Sequence, residues 1–117
     1  MRMDLAIWTD VLPAGAVLRV VGELDLTTSP KLARHLEELA VDFGNPLVVD
    51  LSGVTFIDSS GLSCLVTARR VVASAEGRLA LVASDRTLQL LRLTNMDSVF
   101  HLYDSVQLAL DDLAQVG

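Results

Sequence analysis

The stretch FIDSSGLSCLVTARR, from Phe56 to Arg70, changes character in its middle. It opens as a strand, with Phe56 and Ile57. It closes as a helix, with Leu62, Leu65 and Val66 at helical spacing and Arg69 and Arg70 on the other side. At the join stand one acid, two hydroxyls and a glycine: Asp58, Ser59, Ser60 and Gly61. A strand that turns directly into a helix is the repeating step of a parallel α/β sheet. This segment therefore decides the fold, and its four small or polar residues pose the functional question.

Working outward, the same alternation continues on both sides. Before it, Pro46–Leu51 is nearly all apolar, as in a strand covered on both faces. Ser52–Val54 reads as an interruption, and Thr55–Ile57 as a short continuation. After it, Gly77 reads as a helix stop, Arg78–Ala83 as an apolar strand, and Ser84 as the cap of a short helix. Val99–Tyr103 is a last strand. A closing helix from Ser105 places Val106, Ala109, Leu110 and Leu113 on one stripe.

The N-terminal part differs. Leu5–Thr9 and Ala16–Leu24 are strands separated by a turn, and should pair as a hairpin. The next helix begins with Ser29 as cap and Pro30 at its first position. It carries Leu32, Leu36, Leu39 and Phe43 inward and stops at Gly44. The order is β-β-α-β-α-β-α-β-α. Fold class follows: α/β, a mixed, mostly parallel β-sheet with about four packed helices. A length of 117 residues makes residues 1–117 one domain.

Composition removes several function classes. The chain is 51% hydrophobic, yet no apolar run approaches the ~20 residues of a membrane span. The net charge of −6 disfavours nucleic acid and anionic lipid as partners and suits a basic protein surface. The opening MRMDLAIWTD carries Asp4 and no long apolar stretch, so no export signal is expected. With the lone Cys64 unable to form an internal disulfide, a reducing cytoplasm is the expected compartment. Cys64 reads as a packed side chain. His35 and His101 have no companion at ligand spacing, so no metal or other cofactor is expected.

Three readings of DSSG remain. A nucleophile would sit in GxSxG, but Phe56–Asp58 stand where glycine is needed, and no HGG stretch supplies an oxyanion hole. A serine hydrolase is thus a distant alternative. Helix capping by Asp58 or Ser59 is the favoured reading on spacing alone. It leaves unexplained why two hydroxyls stand beside an acid at an exposed edge. The third reading is a hydroxyl that another protein phosphorylates.

The whole chain resembles the STAS domain, the fold of bacterial anti-sigma factor antagonists. Two motifs carry the resemblance: GELDLTT, Gly22–Thr28, and VVDLSGVTFIDSSGL, Val48–Leu62, at the family's separation. The resemblance implies that Ser59, and not Ser60, is phosphorylated by a partner that is both an anti-sigma factor and a serine kinase. It implies that the unphosphorylated form binds this anti-sigma factor, so that a sigma factor is released, and that a phosphatase acting on phospho-Ser59 restores binding. ATP belongs to the kinase. The partner-binding residues it implies are Asp25, Thr28, Asp58, Ser59, Ser60 and Gly61, with Asp25 contacting the partner and leaving the fold unsupported. Within the same fold, a subunit of a stress-sensing assembly or of a lipid-transport complex stays an alternative.

Overall fold

A computed structural model describes residues 4–43 and 46–115. Strand β1 (Ala6–Leu12) and strand β2 (Gly15–Leu24) pair antiparallel around a two-residue turn at Pro13 and Ala14. Then follow α1 (Ser29–Phe43), β3 (Leu47–Ile57), α2 (Ser59–Ser74), β4 (Leu79–Ala83), α3 (Asp85–Leu93), β5 (His101–Tyr103) and α4 (Val106–Gln115). The sheet order is β1-β2-β3-β4-β5, and every pair after the hairpin is parallel. The mixed, mostly parallel sheet read from the alternation is the one formed. The expected stop at Gly44 and the side chain of Phe43 fall outside the described residues.

Alternation of side chains across the pleat gives the sheet two apolar faces. On one, Leu18, Val20 and Leu24 of β2, Val49, Leu51 and Val54 of β3 and Leu81 of β4 meet Leu32 and Leu36 of α1, Leu65 and Val72 of α2, and Leu91 of α3. On the other, Val17, Val48, Ala80 and Val82 meet Ala109, Leu110 and Leu113 of α4. On that second face Arg19 reaches Asp10 at 2.8 Å and Asp50 at 3.0 Å, so a half-buried cation lies between two carboxylates.

One sequence expectation is corrected. Ser52–Val54 does not interrupt β3. Arg19 pairs with Asp50, but Val21 pairs with Gly53, so β3 takes three steps where β2 takes two. A second surplus residue lies between the pairs Gly22–Val54 and Glu23–Phe56. These bulges keep the strand continuous while bending it, which is how a sheet accommodates small residues without ending. The expected stop of α2 at Gly77 is found, and there Glu76 takes the left-handed conformation, with φ of +60°. The Gly77 N–H closes the helix on the Val72 carbonyl at 2.9 Å, the six-to-one bond of a helix-ending motif.

Candidate functional site

The site lies where β2 and β3 end side by side. Leu24 pairs with Ile57, the last residue of β3. One residue on, the Asp58 N–H donates to the Leu24 carbonyl at 3.2 Å. The loop after β2 and the start of α2 therefore leave adjacent strands at the same level. Sequence read the two motifs as related by family spacing; the parallel register brings them together.

At the start of α2 the capping question has a definite answer. Asp58 is extended, with φ −117° and ψ −172°, and its Oδ1 accepts the N–H of Ser60 at 2.9 Å and of Gly61 at 3.2 Å. Its own carbonyl accepts the Leu62 N–H at 3.0 Å. Asp58 thus holds the helix end, and Ser59 is the first helical residue. The Ser59 side chain is exposed and its hydroxyl has no hydrogen-bond partner among the described residues; Ser60 is half-buried. The two adjacent hydroxyls are not equivalent.

Gly61 is required by space. A Cβ there would stand 2.8 Å from Leu24 Cγ, 2.9 Å from Ile57 Cγ1 and 3.0 Å from the Leu24 carbonyl. Its absence lets the first turn of α2 lie on the ends of β2 and β3. Gly22 of the other motif is required by conformation as well. It has φ of +123°, and a Cβ would come within 2.4 Å of the Asp4 carbonyl.

The loop from Asp25 to Thr28 is tied from within. Asp25 Oδ1 accepts the N–H of Thr27 at 2.9 Å and of Thr28 at 3.1 Å. Thr28 Oγ1 accepts the Asp25 N–H at 2.9 Å and donates to the Glu23 carbonyl at 2.7 Å. The Asp25 carbonyl accepts the Ser29 N–H at 2.8 Å. Asp25 and Thr28 are each only 8% exposed. The expectation that Asp25 leaves the fold unsupported is therefore corrected: its carboxylate is the internal scaffold of the loop. Ser29 is not the cap of α1 either; it is the first helical residue, and the flanking position belongs to Thr28.

What this scaffold presents outward is Leu26, 74% exposed, with Thr27 beside it. Sequence reading passed over Leu26. Its signal was present: a leucine inside a polar turn, with no periodic partner in strand or helix. Phe56, 44% exposed near the end of β3, was likewise taken only as strand.

The remaining chemistry lies elsewhere. Burial, with a smaller contribution from Glu37, pushes the Cys64 thiol up to about 11, and its Sγ donates to the Ser29 carbonyl at 3.6 Å. A thiol held protonated is a packing group of the α1–α2 contact. His35 Nδ1 lies 2.9 Å from the Lys31 carbonyl and His101 is exposed on β5, which β4 separates from β3. Neither is hydrogen-bonded to Ser59. Among the described residues no group of three or more His, Cys, Asp or Glu is placed to hold a metal, and no helix is long and apolar enough to cross a membrane.

Comparison with known proteins finds these likenesses. A family model described as STAS domain matches residues 7–109. The anti-sigma-B factor antagonist of Listeria monocytogenes is 33% identical over 84 residues, 71% of this chain and 74% of that protein. The anti-sigma-F factor antagonist RsfB of Mycobacterium tuberculosis is 30% identical over 95 residues, 81% of this chain and 78% of that protein. Among solved structures, an anti-sigma factor antagonist from Mycobacterium paratuberculosis superposes with a TM-score of 0.85 at 28% identity, covering 94% of each chain.

Proposed function

Because the chain belongs to the STAS-domain family of anti-sigma factor antagonists, we propose that it works as a phosphorylation-controlled partner switch. Unphosphorylated, it binds an anti-sigma factor and thereby releases a sigma factor. Phosphorylated on Ser59 by that partner's serine kinase activity, it lets go. A phosphatase acting on phospho-Ser59 returns it to the binding form. The protein is a substrate in this cycle and not an enzyme; it acts in the cytoplasm as one STAS domain.

One observation carries the reading: Asp58 caps α2, so the exposed Ser59 hydroxyl has no structural task. A modifying enzyme can take it without first breaking the fold. The geometry also limits what a phosphate does to its own protein. Helix N-termini favour anions by about 0.3–1 kcal/mol. Here, however, two of the first N–H groups are already bound to Asp58, and its carboxylate lies next to the new charge. The two effects oppose one another, so phosphorylation leaves the domain's stability nearly unchanged. Its effect falls on the partner. A group of about −1.5 to −2 charge enters the centre of the contact surface, where like-charge juxtaposition costs several kcal/mol. Changing a complex from mostly bound to mostly free takes about 5.5 kcal/mol, so one phosphate is a signal of sufficient size.

The test has two parts. Proteins retained by the unmodified chain are identified by mass, then the recovered anti-sigma factor is incubated with the chain and ATP and the phosphopeptides are mapped. Phosphate on Ser59 with loss of the complex supports the switch. Phosphate on Ser60 or Ser63, or a complex that survives Ser59 phosphorylation, refutes it. Retention of a transporter ATPase in place of an anti-sigma factor selects the lipid-transport role.

A further inference from the structure

Strand β4 ends at Ala83, which pairs with Leu51, but β3 runs on to Ile57 bonded to β2 alone. Helix α3 follows β4 directly and stands beside this unpaired length of β3. Strand and helix do not close on each other. A cleft of about 250 Å³ lies between them, walled by Phe56, Ile57, Arg86, Gln89, Leu90 and Leu93.

Two of these walls leave apolar area in water. Phe56 is 44% exposed and Leu93 is 78% exposed, so the fold gains little from Leu93 being apolar and leaves part of Phe56 open. Arg86, Leu90 and Leu93 recur at i, i+4 and i+7, one face of α3. Arg86 is exposed and makes no ion pair or hydrogen bond among the described residues. In a chain of net charge −6, an unpaired guanidinium between apolar walls is complementary to a carboxylate set beside an apolar side chain. The cleft is also continuous with the site already described, since Phe56 precedes Ser59 by three residues and the intervening Ile57 packs under Gly61.

We infer that this cleft is a second docking contact for the protein that engages Ser59, and that it receives a bulky apolar side chain of that protein with a neighbouring carboxylate on Arg86. The inference rests on the proposed function. Apolar anchors seated in pockets dominate interface energies, and a guanidinium pairs with a carboxylate through two parallel hydrogen bonds. A contact here holds the partner without using the Ser59 hydroxyl. Recognition and phosphorylation are thereby separated: the anchor keeps the partner in place while Ser59 is modified.

The experiment is calorimetric titration of the recombinant anti-sigma factor, recovered as above, into the unphosphorylated chain and four variants. Leu93→Asp and Arg86→Glu alter the cleft. Leu108→Asp alters the exposed side of α4, on the opposite face of the sheet, and Ser59→Glu reports on the switch. Each cleft variant is expected to weaken binding by about tenfold or more with an unchanged melting temperature, and Leu108→Asp to bind as the parent does. If both cleft variants bind within about twofold of the parent while Ser59→Glu binds poorly, the cleft is not a docking contact and the switch stands. If the cleft variants bind poorly while Ser59→Glu and the chain phosphorylated on Ser59 both bind as the parent does, the docking contact stands and the switch fails.

Discussion

Replacing Asp58 and Ser59 separately by alanine distinguishes a helix cap from a switch, because Asp58 caps α2 while Ser59 carries the switch in the proposed function. Asp58 supplies the oxygen that takes two helix N–H groups. Its removal costs what a lost N-cap costs, about 1 kcal/mol within a range of about 0.5–2. For a domain of this length that lowers the melting temperature by about 4 °C. Ser59 is exposed and unpartnered, so Ser59→Ala loses no bond. Alanine is the better helix former by up to about 0.5 kcal/mol, so its melting temperature is unchanged or slightly higher. In partner binding the order reverses. On the proposed function, Ser59→Ala is expected to stay bound to the anti-sigma factor when ATP is added, because there is no hydroxyl to modify, and Asp58→Ala to be released still. Thermal denaturation followed by circular dichroism measures the first comparison, and retention on immobilised partner with and without ATP the second. A Ser59→Ala protein that melts as low as Asp58→Ala, or that is released by ATP, would refute the assignment of the cap to Asp58 and the switch to Ser59.

Gly61→Ala forces a Cβ against Leu24 and Ile57 at 2.8–2.9 Å. It should destabilise by about 1–3 kcal/mol as an overpacked contact does, read from urea denaturation; a neutral result would mean that α2 is free to shift on the sheet. Asp25→Ala should cost about 1–3 kcal/mol by leaving buried groups of the loop unsatisfied, while Leu26→Ala should melt like the parent and bind partner less tightly. Equal melting for both variants would contradict the scaffold role of Asp25. The Cys64 thiol is raised in the folded state from 9.0 to about 11. The unfolded chain therefore loses its proton first as pH rises, so the contribution of this group is complete below about pH 9 and declines toward pH 11. Maleimide labelling of the native protein should accordingly be slow at pH 8 and accelerate only on unfolding; fast native labelling would show the thiol to be accessible and ionised.

Much of this protein is legible without coordinates, for a reason that lies in burial. Period-2 and period-3.6 patterns exist because one face of each element is removed from water. Hence Leu32, Leu36 and Leu39, the stripe Ala109, Leu110 and Leu113, and Leu47–Leu51, apolar but for Asp50, announce their elements and the face each one buries. Ser84 announces the start of α3, and its hydroxyl accepts the Thr87 N–H as a local cap should. The polar join from Asp58 to Gly61 is visible for the same reason, since it breaks a pattern that burial imposes elsewhere.

The decisions left to tertiary structure are those in which a residue type fits two environments. Asp58 and Ser59 both carry a capping oxygen, and only the extended backbone of Asp58, tied to the Leu24 carbonyl, selects between them. Asp25 looks like an exposed loop acid. It is buried because the loop folds back over its carboxylate, so the outward position falls to Leu26. Ser52–Val54 looks like a break until β2 offers a partner that a bulge can follow. Leu93 looks like core until α3 is seen standing off the end of β3. In each case the local pattern fits two arrangements. The choice is made by a neighbour distant in sequence, whose position no local pattern records.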